Sequence, residues 1–344
     1  MGYIAILDKI FFRLTSLIIC FLLLLTNLSP TMVLAALNPA LTEVEERKFL
    51  SFDTDESEDR LINIEFNNEI FTSELAITEV NRIDTSADIV SILNQKANKT
   101  ISYPMISDKI IAMSCRSSNA TYSSPYFFKI GENIIYKLEV NTLNKEPINI
   151  DNGALIYRDY NKNLLITNVS DEISYGLKFG ESKQINPAGF EVGQFAVADG
   201  KVVFANTSIN KDIYIFCQGC LQTKHLFKIN GSIKNLSISI YNNETILWWG
   251  QDNKLYYTNL DRLDQNGDDK LPTEIEMDYL EYFSVYANRI VFINNNDKLY
   301  LQDIDSNDEP EYLCETASTD IFLHNNLVFY VDKNNDLAAY NIEN

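Results

Sequence analysis

One pattern recurs along this chain and constrains its fold more than anything else in it. An apolar-x-apolar stretch meets a turn of Asn, Asp or Gly, then two apolar residues and usually an aromatic. It reads INIEFNNEIF from Ile62, MISDKIIAM from Met105, INIDNGALIY from Ile148 and FAVADGKVVF from Phe195. It continues as ISIYNNETILW from Ile238, FSVYANRIVF from Phe283 and IFLHNNLVF from Ile321. The first apolar residues after the turns are Ile70, Ile110, Leu155, Val202, Ile246, Ile290 and Leu327, spaced 40, 45, 47, 44, 44 and 37 residues apart. A period in this range is the mark of a repeat architecture.

Each unit carries more strands than the hairpin alone. LLITNV at Leu164, DIYIF at Ile213, KLYYTNL at Leu255, KLYLQDI at Leu299 and DLAAYNI at Leu337 follow the anchors after the Asn- and Asp-rich turns YNKN, INKD, GQDNK, INNNDK and DKNND. A short closing strand ends most units, as in SKQIN, KHLFKI, TEIEM and PEYLCE. Four short strands per unit, with turn residues at each junction, predict an all-β propeller of seven blades, each of four antiparallel strands. Helical periodicity is absent beyond the leader, apart from a weak ADIVSILNQKA near Ile89.

Two segments, Arg289 to Asp305 (RIVFINNNDKLYLQDID) and Asn253 to Asp261 (NKLYYTNLD), make the chain resemble YWTD-type and TolB-like propeller repeat proteins. The resemblance spans roughly 60–344 and implies architecture. The Gly expected after the final Asp is replaced by Arg262 and Ser306, and the tetrad stands as Tyr256-Tyr257-Thr258-Asn259.

The domain plan follows: a signal peptide over 1–35, an acidic segment over 36–59 and the propeller over 60–344. Lys9 and Arg13 precede an apolar run from Leu14 to Leu25, and Val33-Leu34-Ala35 fits the small-residue cleavage rule. Asn27, Ser29 and Pro30 break the run before it reaches the roughly 20 residues of a spanning helix. Cys20 lacks the small residue a lipoprotein site needs before it, since Ile18-Ile19 stand there. A secreted or extracytoplasmic protein without membrane insertion is therefore expected. The last unit stops three strands in. The 36–59 segment either closes it through Phe49-Leu50-Ser51-Phe52 or remains an unpaired acidic leader between EVEER and DTDESED.

Cys115, Cys217, Cys220 and Cys314 remain after the leader, an even number that permits two disulfides in an exported chain. Cys217-Gln-Gly-Cys220 lies in a strand and turn rather than at a helix start, so it is a disulfide candidate and not a thioredoxin-like motif. Sequons at Asn98, Asn119, Asn168, Asn206, Asn230, Asn235 and Asn243 make it a candidate glycoprotein.

The formal charge of −20 argues against a nucleic-acid partner. His225 and His324 are the two histidines of the chain, and no nucleophile elbow, P-loop or HExxH accompanies them. No catalytic residue and no resident cofactor is expected, with Ca²⁺ as the one candidate. It would be held by Asp264, Asn266, Asp268 and Glu274, in a partial match to an alternating-oxygen loop. Trp248-Trp249 are expected to point to opposite sides of a strand, as blade core.

Two functional classes remain: a module binding a protein or glycan, and a carboxylate-based, glycosidase-like hydrolase with its site in the central channel. Even blades without a lid-like insertion favour the first. The turns at Asn67-Asn68, Asn152-Gly153, Asp199-Gly200, Asn242-Asn243, Asn288 and Asn325-Asn326 should share one face, and the Asn/Asp turns one strand later the other. The second face, with Asp252, Asp297, Asp332 and Asp336, is the expected contact surface.

Overall fold

The chain divides into two units, Met1–Arg47 and Lys48–Asn344, and all described residues belong to the second. The computed structural model describes residues 49–342 except 56–59, 66–69, 75–76, 80–81, 84–88, 91–98, 108, 118–119, 131–134, 144–145, 263–271, 277–279, 281, 295, 307, 325 and 335, with side chains from Pro104 onward. Six four-stranded antiparallel sheets follow one another, blades 1 to 6, over 49–90, 99–137, 148–184, 192–229, 234–276 and 282–315. A three-stranded sheet over 321–341 ends the series. In blades 2 to 6 every strand pairs with the next in the chain; blade 1 inserts a two-stranded ribbon, Ile77–Glu79 with Arg82–Ile83, before its fourth strand.

The second strand of each blade explains why the blades assemble. In Lys201–Asn206, Val202 and Phe204 join the core shared with blade 3, whereas Val203 and Ala205 join the core shared with blade 5. Successive side chains of a strand point to opposite faces. A strand apolar at every position must therefore be covered on both sides, and only a neighbouring blade on each side can do that. Glu244–Gln251 repeats the arrangement. Ile246 and Trp248 face blade 6, and Leu247 and Trp249 face blade 4, so the two tryptophans do part to opposite sides.

Tight turns keep the strands in phase. Asn152, Asp199, Asn242 and Asn243 hold φ of 47°, 48°, 52° and 62°, and Gly153 and Gly200 follow at 70° and 72°. Two consecutive positive φ values match the twist of the strands they join, and Asn, Asp and Gly adopt them at low cost.

The structure corrects two expectations and decides two readings that the sequence left open. The four-stranded blades number six, not seven, because the terminal sheet has three strands, Ile321–His324, Leu327–Val331 and Leu337–Asn341. Phe49-Leu50-Ser51-Phe52 do not close it: Phe49–Asp55 pairs antiparallel with Arg60–Glu65, placing Phe52 opposite Asn63. That added strand shifts the first unit, so Ile70 begins a third strand, while the other six anchors fall in second strands. Ile89–Val90, inside the one helix-like window, is strand. No helix among the described residues is long and apolar enough to cross a membrane.

Trp248 and Trp249 offer a test of this packing. Both are fully buried, but the Trp248 indole N–H donates to Ser239 Oγ at 2.8 Å, and Trp249 Nε1 has no partner among the described residues. Trp248→Phe should therefore cost about 1–2 kcal/mol more than Trp249→Phe, because it alone loses a made hydrogen bond. Urea unfolding of the two variants checks this; equal losses would contradict it.

Candidate functional site

The first strands of blades 2 to 6 and of the terminal sheet line a central cavity of about 790 Å³. At the end where first and second strands turn, Asp151 and Asn152 of blade 3 meet Asp199 of blade 4. Asp151 Oδ2 accepts from Gly200 N at 2.9 Å, from Asn152 Nδ2 at 3.0 Å and from the Tyr175 hydroxyl. Burial pushes the Asp151 carboxyl above its ordinary value, and those three bonds oppose it only in part. Burial, then the nearby Asp151 charge, raises the Tyr175 hydroxyl in turn. This carboxylate is a latch between blades rather than a free acid or base.

At the other end, Arg158 Nε donates to the buried carboxylate of Glu146, and its Nη1 donates to the carbonyls of Val192, at 3.0 Å, and Gly193. Burial raises the Glu146 carboxyl despite the guanidinium. Gln194 and Asn235 line the cavity beside this pair.

Further inter-blade ties share the hairpin face with Asp151. Lys201 Nζ lies 3.3 Å from Asp261 Oδ1 and donates to Thr245 Oγ1, joining blade 4 to blade 5. Tyr241 donates to Asp305 Oδ2 at 2.7 Å, joining blades 5 and 6, and Arg289 donates to Asn326 Oδ1 at 2.8 Å across to the terminal sheet. Asp261 and Asp305 are the aspartates of the repeated L-D and I-D pairs. Burial acts to raise Asp261, but its bonds to Thr245 and Lys201 prevail and lower it.

The opposite face carries the turns between second and third strands, and several are built alike. Asp159 Oδ1 accepts from Asn163 N at 2.8 Å, and Asn294 Oδ1 from Asn296 N and Lys298 N at 3.1 and 3.2 Å. Asp332 Oδ1 accepts from Asn334 N and Asp336 N at 2.8 and 3.0 Å. Of the four expected contact aspartates, Asp252 and Asp297 are exposed, whereas Asp332 and Asp336 are half-buried and Asp332 serves its own turn. On the same face, sequence reasoning missed Tyr122 and Tyr160 from blades 2 and 3, 41% and 48% exposed, with ring centroids 5.3 Å apart. Ile209 in the matching turn of blade 4 is 79% exposed. The available signal was Tyr160 itself, a bulky aromatic inside a turn otherwise made of Asn, Asp and Lys.

The cysteines do not bear out the disulfide expectation. Cys217, Cys220 and Cys314 are free thiols, the first and third half-buried and the second exposed, and Cys115 is buried. Cys115, Cys217 and Cys314 belong to different blades, and their strands hold them in separate sheets. The Cys217 thiol is pushed up to about 11, first by burial and then by neighbouring Cys220. Burial likewise raises Cys314.

Asp264, Asn266 and Asp268 of the candidate Ca²⁺ loop lie outside the described residues. Glu274 is described and engaged: it accepts from Lys254 Nζ and, at 3.1 Å, from the Tyr256 hydroxyl, and the Lys254 bond lowers its pKa. No group of three or more His, Cys, Asp or Glu that could hold a metal occurs among the described residues. His225 sits on the outer strand of blade 4, 3.4 Å from Asp212, and His324 is buried in the terminal sheet. Among the sequons, Asn168 is fully buried and its amide donates to the carbonyls of Glu172 and Leu177, at 2.6 and 2.8 Å, so no glycan fits there in the folded chain. Asn230 and Asn243 are exposed; Asn98 and Asn119 lie outside the described residues.

No family model matches the sequence, and no curated protein does. Membership of the YWTD-type or TolB-like families therefore has no support beyond the repeat pattern. Solved structures do share the fold. Human WBSCR16 aligns with a TM-score of 0.57 at 5% identity, covering 81% of this chain and 85% of that one. The β-propeller domain of Myceliophteria thermophila Cps50 (Swd1) gives 0.54 at 9%, covering 86% and 96%. A computationally designed protein, Ika8, gives 0.55 at 10%, covering 87% and 98%. The chain is a β-propeller. At these identities the likeness shows fold alone.

The raised Asp151 carboxyl gives a pH signature. A carboxyl that holds its proton more tightly in the fold adds stability that is complete below its unfolded value, near 3.8. That contribution is lost as pH rises through the higher folded value. Asp151→Asn removes this titration, so its stability relative to the parent chain should improve as pH climbs out of the acid range. Urea midpoints measured across that range test it; parallel curves would refute the assignment.

Proposed function

We propose that this propeller is a binding module for a protein partner, engaged by the face that carries the turns between second and third strands. The observation that carries the reading is the composition of that face. An exposed tyrosine pair and Ile209 occupy blades 2 to 4, and exposed Asp252 and Asp297 occupy blades 5 and 6. Aromatic anchors with a polar rim around them are what protein interfaces favour. A chain of net charge −20 selects a partner with a basic surface.

A glycan is the weaker candidate. The Tyr122 and Tyr160 rings meet at 53° and form a wedge, which suits an inserted side chain better than the flat face of a sugar ring. A channel hydrolase has less support again, because the Asp151 carboxylate is committed to Gly200, Asn152 and Tyr175. Action outside the cytoplasm belongs to the same proposal and is supported by the leader pattern of residues 1–35.

The test is a pull-down from extracytoplasmic fractions, repeated at several salt concentrations. Replacing Tyr122 and Tyr160 together by Ala should lower retention of the partner at least tenfold, as expected for central aromatic anchors. Asp252→Asn with Asp297→Asn should weaken retention and flatten its salt dependence. If these variants retain the partner unchanged, while Asn242→Lys on the opposite face abolishes capture, the proposed face is wrong.

A further inference from the structure

The first strands of blades 4 and 5 break register at the same place, one between Val192 and Gln194 and the other between Lys234 and Leu236. Gly193 and Asn235 are the inserted residues. A Cβ on Gly193 would meet the Asn206 carbonyl oxygen at 2.7 Å. Asn235 sits at φ 46°, in the left-handed region. Bulges of this kind re-aim side chains and cluster beside functional sites.

Here they bring two amides to the cavity wall. Gln194 and Asn235 both line it, and neither Gln194 Oε1 nor Asn235 Nδ2, each buried, has a hydrogen-bond partner among the described residues. A fold does not gain stability by burying such atoms unpaired. One is an acceptor in need of a donor and the other a donor in need of an acceptor. A peptide group offers both. The adjacent Arg158 is matched by Glu146 and by two backbone carbonyls, so its charge is already committed.

The other end differs. Asp199 is exposed at the cavity rim, five positions along the chain from Gln194 and just past the end of the strand Val192–Ala198. That separation is about 16 Å at the rise of a β-strand, the reach of an extended peptide of about five residues. The cavity volume of about 790 Å³ is within the range of ligand sites.

We propose that the channel binds an extended peptide segment of about five residues, one of whose peptide groups bridges Gln194 and Asn235 while a basic residue lies at Asp199. This site is separate from the turn face and uses none of its residues, so either reading can fail alone.

The probe is a fluorescein-labelled pentapeptide library with one terminal lysine and Gly, Ala, Ser or Asn elsewhere, read by fluorescence anisotropy on the whole chain. Members should bind, and Gln194→Leu and Asn235→Gly should each weaken them at least tenfold. Asp199→Asn should erase the advantage of lysine over a terminal alanine. Gln194→Leu should also raise the thermal midpoint of the free protein, which separates lost recognition from lost folding; Asn235→Gly, compatible with the local φ, serves as the second variant. Tyr122→Ala with Tyr160→Ala should leave peptide binding unchanged. Absence of binding by every member, or equal binding by parent and both amide variants, would overturn the proposal and assign these amides to water.

Discussion

The propeller depends on strands that are buried on both faces. A sheet with one apolar face can be satisfied by a single partner layer, and its strands then alternate apolar with polar. The second strand of each blade from 2 onward has no polar face to offer. Ala154, Leu155, Ile156 and Tyr157 are all fully buried, and so are Val202 to Ala205. Leu155 and Tyr157 belong to the core shared with blade 2, and Ala154 and Ile156 to the core shared with blade 4. Blades 3 to 6 are therefore not independent units, since each contributes to two cores and completes neither alone. A ring, or an arc long enough to be capped, is the geometry that satisfies every such strand.

Apolar packing of this sort holds blades together without fixing how each is rotated against the next. The polar ties supply that. Gly200 N to Asp151, Lys201 to Asp261, Tyr241 to Asp305 and Arg289 to Asn326 each join neighbouring sheets on the hairpin face. Asn and Asp do three jobs within a single unit: they adopt positive φ in the hairpins, close the turns between second and third strands, and cap the exits of third strands. Asn168, Asn259 and Asp303 perform the last of these, each accepting from the backbone N–H two residues on. Much of the acidity is thus architectural. An aspartate that accepts from its own turn, as Asp332 does, presents less charge to a partner than Asp252 or Asp297.

The repeat was legible because its signals are local. Apolar runs, turn residues and their spacing lie within a few residues of one another, and six of the seven anchors fall in second strands. The first failed where locality fails: Phe49–Asp55 looks the same whether it pairs with Arg60–Glu65 or with a distant sheet. The cysteines meet the same limit, as an even count says nothing about which sheets will hold the thiols. Tyr122 and Tyr160 lie 38 positions apart and meet only because adjacent blades bring their turns together. The Gln194 and Asn235 amides were invisible for a further reason. Their interest lies in bonds they do not make, and a sequence carries no record of an unmade bond.

These same positions separate structure from function within the fold. At most sites the local rules and the global fold agree: Asn, Asp or Gly where φ is positive, apolar residues where two blades meet, a carboxylate where a backbone N–H needs an acceptor. Such agreement is what gives a sequence one stable structure. The channel wall departs from it where Gln194 Oε1 and Asn235 Nδ2 lie buried with no hydrogen-bond partner among the described residues. On the hairpin face the inter-blade ties described are satisfied, and exposed Asp199 is the group left there to meet a ligand. A departure costs stability and could be removed by small apolar substitutions, so its presence in a fold this regular needs a compensating gain. Binding is the gain that a polar channel wall can return, because a ligand that completes those bonds stabilises only the folded chain.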